Sequence, residues 1–309
     1  MLTLCKVNNR FVDAEIHFRA EFVNLDEIAA KRMNLYDDTC FESSKLITNK
    51  YSTSFSKGIN AFDERFRYPI YAIYGFVRYA DEIVDTFHGH DQHQLINDFK
   101  TDAFKAIEQK ISLNPVLQSF QLVVNKYNIG LELIEAFLTS MEMDLDKKSF
   151  EQEEYEAYIY GSAEVVGLMC LRVFCEGNDD LYSRLKSPAQ KLGSALQKIN
   201  FLRDIKADLH ERGRIYFPGV DFNHFTDTEK SQIETDIRKD LAEGFNGIKG
   251  LPGGARLGVY IAYMYYSELL KKIVKTPAPI ILQQRIRITD TNKAMLYLKA
   301  VSKHKLGLQ

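Results

Sequence analysis

The chain has 309 residues, 45% hydrophobic and 27% charged, a balance that excludes a disordered polyampholyte and allows a large buried core. Forty basic residues against 42 acidic ones leave a formal net charge of −2, which offers no general footprint for nucleic acid. Cys5, Cys40, Cys170 and Cys175 are scattered without a Cys-x-x-Cys pair, which argues for reduced thiols in a cytosolic compartment and against a disulfide framework.

Residues 1–32 lack sustained helical periodicity and read as an N-terminal extension; 33–309 read as one all-α domain. No run reaches the roughly 20 apolar residues that span a bilayer, so the chain is expected to be cytoplasmic. Basic residues from Lys271 to Lys305 leave peripheral contact with an anionic membrane face open. Asn114-Pro115 and Ser187-Pro188 pair a capping side chain with proline, predicting helix starts at 115 and 188. Phe104, Ile107 and Ile111, then Leu117, Phe120 and Val124, then Leu133, Phe137 and Leu138 recur at helical spacing. Strand-like alternation is scarce. The pattern predicts about ten helices, with Gly253-Gly254 after Pro252 as a turn.

Two helices stand apart. In the first, spanning roughly 69–86, Tyr74, Arg78, Asp81 and Asp85 fall on one stripe, while Ile70, Ile73, Phe76, Val77, Ile83 and Val84 occupy the other directions. In the second, roughly 188–210, Gln197, Asn200, Asp204 and Asp208 form a similar stripe among Leu196, Ile199, Phe201, Leu202 and Ile205. A helix apolar nearly all round is buried, so its polar stripe must face an internal cavity. Burying unpaired carboxylates costs several kcal/mol each, so a positive partner is required. Zinc is disfavoured because neither stripe carries histidine or cysteine, and no Asp-x-Asp-x-Asp-Gly loop suggests calcium. Magnesium fits best, since it takes a few carboxylates and completes its shell with substrate phosphates. Arg78 and Arg203 beside the carboxylates suit a polyanion, and the inferred ligand is a diphosphate bridged by Mg²⁺ between the two helices.

Four segments carry a family resemblance covering about Met33 to Lys293: Tyr51-Ser-Thr-Ser-Phe55; Ala72-Ile-Tyr-Gly-Phe-Val-Arg-Tyr-Ala-Asp-Glu-Ile-Val-Asp85; Tyr158-Ile-Tyr-Gly-Ser-Ala-Glu-Val-Val-Gly167; and Leu196 to Asp208 followed by Arg214-Ile-Tyr-Phe-Pro218. Together they resemble the squalene/phytoene synthase family of head-to-head prenyl synthases. The resemblance implies a helical bundle of the isoprenoid synthase type with a central cavity. It implies Mg²⁺ ligands at Asp81, Asp85, Asn200, Asp204 and Asp208, with Mn²⁺ as a substitute. Diphosphate contacts are implied at Tyr51, Ser52, Thr53, Ser54, Arg78, Gln197 and Arg203, with Tyr266 and Arg285 as looser matches, and Tyr74 beside the reacting allylic carbons. Phe55, Tyr74, Tyr158 and Tyr160 are candidates to line the cavity. Gly161, Ala163 and Gly167 serve either close helix packing or cavity room, whereas Phe62, Phe66, Phe120 and Phe137 read as ordinary core.

The implied reaction is that of a phytoene synthase, joining two geranylgeranyl diphosphates into a C40 carotene precursor without an organic cofactor. The alternative is a squalene or dehydrosqualene synthase using farnesyl diphosphate. A non-catalytic assembly factor of the same fold is a third reading, disfavoured by the two intact aspartate pairs.

Overall fold

The computed structural model describes residues 31–306, with the side chains of Thr53, Ser54, Asn223 and Lys305 outside the description. Residues 31–51 are helical (α1), so Lys31 and Arg32 already belong to the helical body, and residues 1–30 lie outside the described residues. Twelve further α-helices follow: α2 (Thr53–Ile59), α3 (Glu64–Thr86), α4 (Gln92–Gln109), α5 (Pro115–Tyr127), α6 (Leu131–Asp146), α7 (Gln152–Ile159), α8 (Val165–Cys175), α9 (Asp179–Ala207), α10 (Asp227–Gly250), α11 (Gly253–Val274), α12 (Ala278–Ile281) and α13 (Asp290–Lys305). Among the described residues there is no strand, only one isolated bridge between Ser149 and Ile215. The fold is all-α.

Local chemistry sets many helix ends. Asn114 caps α5 as expected, its side chain accepting from Val116 N (3.0 Å) and Leu117 N (3.4 Å), with Pro115 at the first turn. The Ser187-Pro188 expectation fails. The helix starts nine residues earlier, where Asn178 caps Leu181 N at 2.9 Å, and Pro188 lies inside α9. Proline inside a helix sacrifices a backbone hydrogen bond, and here packing overrides that cost. The α10 row Gly244, Gly247 and Gly250 lies flat against Leu192, Pro188 and Leu185 of α9; a Cβ on Gly247 would sit 2.4 Å from Pro188 Cβ. Likewise α3 begins at Glu64, with Pro69 inside it. The expected turn at Gly253-Gly254 is the first turn of α11 instead, with Pro252 as its cap.

Two large packed regions result, with a small third one at Ile248, Tyr260, Ile261 and Ala300. One is built on α3, α4, α5, α6 and α8, with Phe66, Phe76, Phe120 and Phe137 fully buried. The other gathers α7, α9, α11 and the 216–225 loop around Ile199, Phe201, Tyr216 and Ile237. The continuous helical run Gln152–Cys175 is long and apolar enough to cross a membrane, contrary to the expectation of no such run, but more than half of its apolar window is buried inside the bundle. Its composition follows from contact with α3, α6 and α9 on several sides.

Candidate active site

A cavity of ≈ 870 Å³ lies between the two packed regions, near the upper end of the range for ligand sites. Both polar stripes face it: Tyr74, Arg78, Asp81 and Asp85 from α3, and Gln197, Asn200 and Asp204 from α9 with Asp208 just past its end. Arg203, Tyr158, Tyr266 and Arg285 line it too, as do Tyr51, Ser52 and Phe55. The Thr53 and Ser54 side chains fall outside the described residues. Away from the carboxylates the wall is apolar, made by residues such as Ile70, Ile73, Val166, Leu171, Phe174 and Leu185.

The carboxylates are held by guanidinium groups. Asp85 Oδ1 is 3.0 Å from Arg214 Nη1 and 3.6 Å from Arg212 Nε, and Arg212 Nη1 also donates to Asp208 Oδ1 at 2.9 Å. One arginine therefore bridges the two acidic helices. Asp204 pairs with Arg203 Nη2 and with Arg285 Nε, both at 2.6 Å. Asp81 has Arg78 Nη1 at 3.8 Å, while Arg78 also binds Glu82 and lies over the Tyr51 ring, 4.4 Å from its centroid. Tyr266 donates to Asn200 Oδ1 at 3.2 Å, bringing α11 onto the α9 stripe.

Three groups at the site were given no role in the sequence. Asp144, from α6, is buried and accepts from Tyr158 Oη (2.7 Å) and Tyr216 Oη (3.1 Å), with Arg214 Nη1 at 3.7 Å. Arg212 and Arg214 flank Gly213, whose positive φ of 67° reverses the chain after a π-helical turn, Asp208–Arg212. The loop is pinned where Ile215 N donates to Lys148 O at 2.7 Å. The i,i+4 pair Asp208/Arg212 is visible in sequence; Asp144, one of three alternating acids in Met141-Glu-Met-Asp-Leu-Asp146, carries no signal that separates it from its more exposed neighbours.

Burial raises the pKa of three carboxyls above the ordinary range. It pushes Asp81 up to about 7 against the opposing pull of Arg78, and Asp144 up to about 6 against that of Arg214. Asp208 also rises to about 6, with Arg212 opposing. Each would be easier to ionise beside an added cation.

The profile of the squalene/phytoene synthase family matches residues 48–292. The chain belongs to that family. Its members are prenyltransferases. The chain is 25% identical over 282 residues to the 4,4'-diapophytoene synthase of Staphylococcus haemolyticus, covering 84% of this chain and 95% of that one. It is 28% identical over 263 residues to the 15-cis-phytoene synthase of Synechococcus elongatus, covering 75% and 83%. A solved dehydrosqualene synthase superposes with a TM-score of 0.76 at 23% identity, over 87% of this chain and 98% of that one, so the fold is the isoprenoid synthase bundle of this family.

The segment Tyr158 to Gly167 divides its tasks. Ala163 and Gly167 line the cavity, but Gly161 serves packing: a Cβ there would lie 2.5 Å from Ala136 O. Tyr160, expected at the cavity, packs instead against the α3-side core: two residues beyond the cavity-lining Tyr158, it falls about 200° round the helix from it. Phe62, read as plain core, also forms cavity wall.

Proposed function

We propose that the chain catalyses Mg²⁺-dependent head-to-head condensation of two geranylgeranyl diphosphates, the phytoene synthase reaction, with release of diphosphate. The observation that carries this reading is a pair of acidic, arginine-rich stripes on facing walls of one largely apolar cavity. Phytoene synthases among the relatives support the C40 substrate. The diapophytoene synthase relative favours farnesyl diphosphate as a second reading.

The donors that α3 and α9 present are all oxygen, four carboxylates and the Asn200 amide, which fits a hard divalent ion such as Mg²⁺ or Mn²⁺. Asp81, Asp85, Asn200, Asp204 and Asp208 would hold it. When bound, it would polarise the diphosphate and stabilise charge on the leaving oxygens. Tyr51, Ser52, Thr53, Ser54, Arg78, Gln197, Arg203, Tyr266 and Arg285 would orient the diphosphate and share its charge. The allylic C–O bond then breaks, the electron pair leaving with diphosphate. The apolar wall keeps water from the resulting cation. The Phe55 and Tyr74 rings, 5.3 Å apart, offer their faces to it, an effect worth roughly 0.5–2 kcal/mol per ring. Attack by the second substrate's double bond and loss of one proton close a cyclopropylcarbinyl diphosphate. Its C–O bond then breaks, the second diphosphate leaves with the electron pair, and the rearranged cation loses a second proton to give the C40 hydrocarbon, both protons passing to the released diphosphates. No organic cofactor is required for the C40 product. The reading places the enzyme in the cytoplasm, with peripheral membrane contact for delivering an apolar product.

The test is chromatography of hydrocarbon formed from geranylgeranyl or farnesyl diphosphate with magnesium. A C40 product supports the proposal; a C30 product alone transfers it to the second reading.

A further inference from the structure

Five aspartates (Asp81, Asp85, Asp144, Asp204, Asp208) line the cavity with five arginines (Arg78, Arg203, Arg212, Arg214, Arg285) and two lysines (Lys57, Lys293), a formal surplus of two positive charges. All four carboxylates assigned above to a divalent ion, Asp81, Asp85, Asp204 and Asp208, already have guanidinium partners. Among the described residues, no group of three or more acidic, histidine or cysteine side chains is gathered to hold a metal. A cation arriving alone must therefore displace an arginine and leaves surplus positive charge. A diphosphate arriving alone meets aspartates that already occupy the arginines. When both arrive, the cation takes the carboxylates, and the arginine forks that release them find phosphate oxygens to bind.

Arg212 is the residue best placed to make that exchange. It bridges the stripes by reaching Asp208 at 2.9 Å and Asp85 at 3.6 Å. Its side chain is 35% accessible, whereas Arg214 is 9% accessible and held from behind by Asp144. When Arg212 turns toward the cavity, Asp85 stays paired with Arg214, while Asp208 gives up its ion-pair partner and is left open to an arriving cation.

We propose that Arg212 is a diphosphate-binding residue whose exchange between the Asp85–Asp208 bridge and the diphosphate couples anion binding to divalent-cation binding. The proposal rests on the metal–diphosphate reading of the cavity. Coupling of this kind is reciprocal, and a factor of about 5–150 is the usual range.

The experiment uses the full chain without prenyl substrate and compares wild type with Arg212→Gln and Arg212→Lys. Mn²⁺ alone is titrated by the paramagnetic resonance signal of free Mn²⁺. Labelled inorganic diphosphate is measured by equilibrium dialysis, with a chelator and then with Mg²⁺. In the wild type, Mg²⁺ should tighten diphosphate binding at least fivefold. Arg212→Gln should bind Mn²⁺ alone more tightly than wild type and diphosphate alone more weakly, with the Mg²⁺ gain reduced. Arg212→Lys should fall between them. A structural residue would weaken both ligands together, so loss of both in Arg212→Gln, or no change in either, overturns the proposal while leaving the site intact. If the wild type binds neither Mn²⁺ nor diphosphate, singly or together, the metal–diphosphate reading falls as well.

Discussion

Tyr158 donates its hydroxyl to Asp144 at 2.7 Å, so a cavity-lining ring is fixed by a carboxylate that reaches in from a different helix. The same carboxylate receives Tyr216 and stands 3.7 Å from Arg214. Removing it strands two buried hydroxyl donors and loosens Arg214 behind Asp85. Leaving a buried polar group unsatisfied costs about 1–3 kcal/mol. Asp144→Ala should therefore lower stability by about that amount per stranded donor and lower turnover through misplacement of Arg214. Asp144→Asn, which can still accept one hydroxyl, should recover much of the stability but less of the turnover. Denaturant unfolding together with steady-state kinetics checks this; equal recovery of both would show that Asp144 only supports packing.

Asp81 and Asp204 sit on opposite walls of the cavity, one on α3 and one on α9. If each holds metal, Asp81→Ala and Asp204→Ala should abolish hydrocarbon formation, a loss on the order of 10²–10³-fold or more for an electrostatic group at the reacting centre. Helix content should stay near normal, because each change removes a charge from a cavity wall and leaves the apolar flanks intact. Circular dichroism with product assay decides; a variant that turns over at the wild-type rate would remove that residue from the metal set.

Much of this site was legible in the sequence because periodicity alone puts Tyr74, Arg78, Asp81 and Asp85 on one stripe, and Gln197, Asn200, Asp204 and Asp208 on another. Burial of the flanks follows from their composition, and the shared cavity follows from having two such helices. What was not legible depends on contacts distant in sequence. Pro188 suggested a helix start, and only the α10 glycine row explains why α9 runs through it. Asp144 has no local pattern; its role exists because α6 passes behind Arg214, 70 residues further along the chain. Tyr160, by contrast, was legible, since two residues from the cavity-lining Tyr158 it falls on the opposite side of the helix.

The raised carboxyls predict a pH dependence for the metal-free protein. Asp81 stands at about 7, and Asp144 and Asp208 at about 6, all above their ordinary value of 3.8. Between about pH 4 and 7 the folded chain therefore holds protons that the unfolded chain has released, and stability contributed by these groups is lost as pH rises through that window. Metal-free protein in chelator should melt at a higher temperature near pH 5.5 than near pH 8, and Asp81→Asn should flatten the difference. Adding Mg²⁺ should raise the melting temperature more at pH 8, where the carboxylates are ionised. Melting curves at the two pH values test the sign directly; a metal-free protein that melts higher at pH 8 contradicts it.

Phe62 and Phe174 pack with ring centroids 5.1 Å apart where the cavity wall is apolar, and Gly258 lies against the Phe62 ring so closely that a Cβ would come within 2.2 Å of it. On α3 this end begins near Ile70, eleven residues from Asp81, or about 16 Å along the helix axis. An extended chain advances roughly 1.3 Å per backbone bond, so one more isoprene unit needs about 5 Å. Shortening either ring should lengthen the space available to the prenyl tail. Phe174→Leu and Phe62→Leu should raise the yield of the longer hydrocarbon over the shorter by about tenfold when farnesyl and geranylgeranyl diphosphate compete, the scale on which pockets discriminate small differences in apolar size. The Leu substitutions keep the cavity cost below the 3–5 kcal/mol typical of Phe→Ala in a core. An unchanged product ratio in both variants would show that chain length is set elsewhere along the wall.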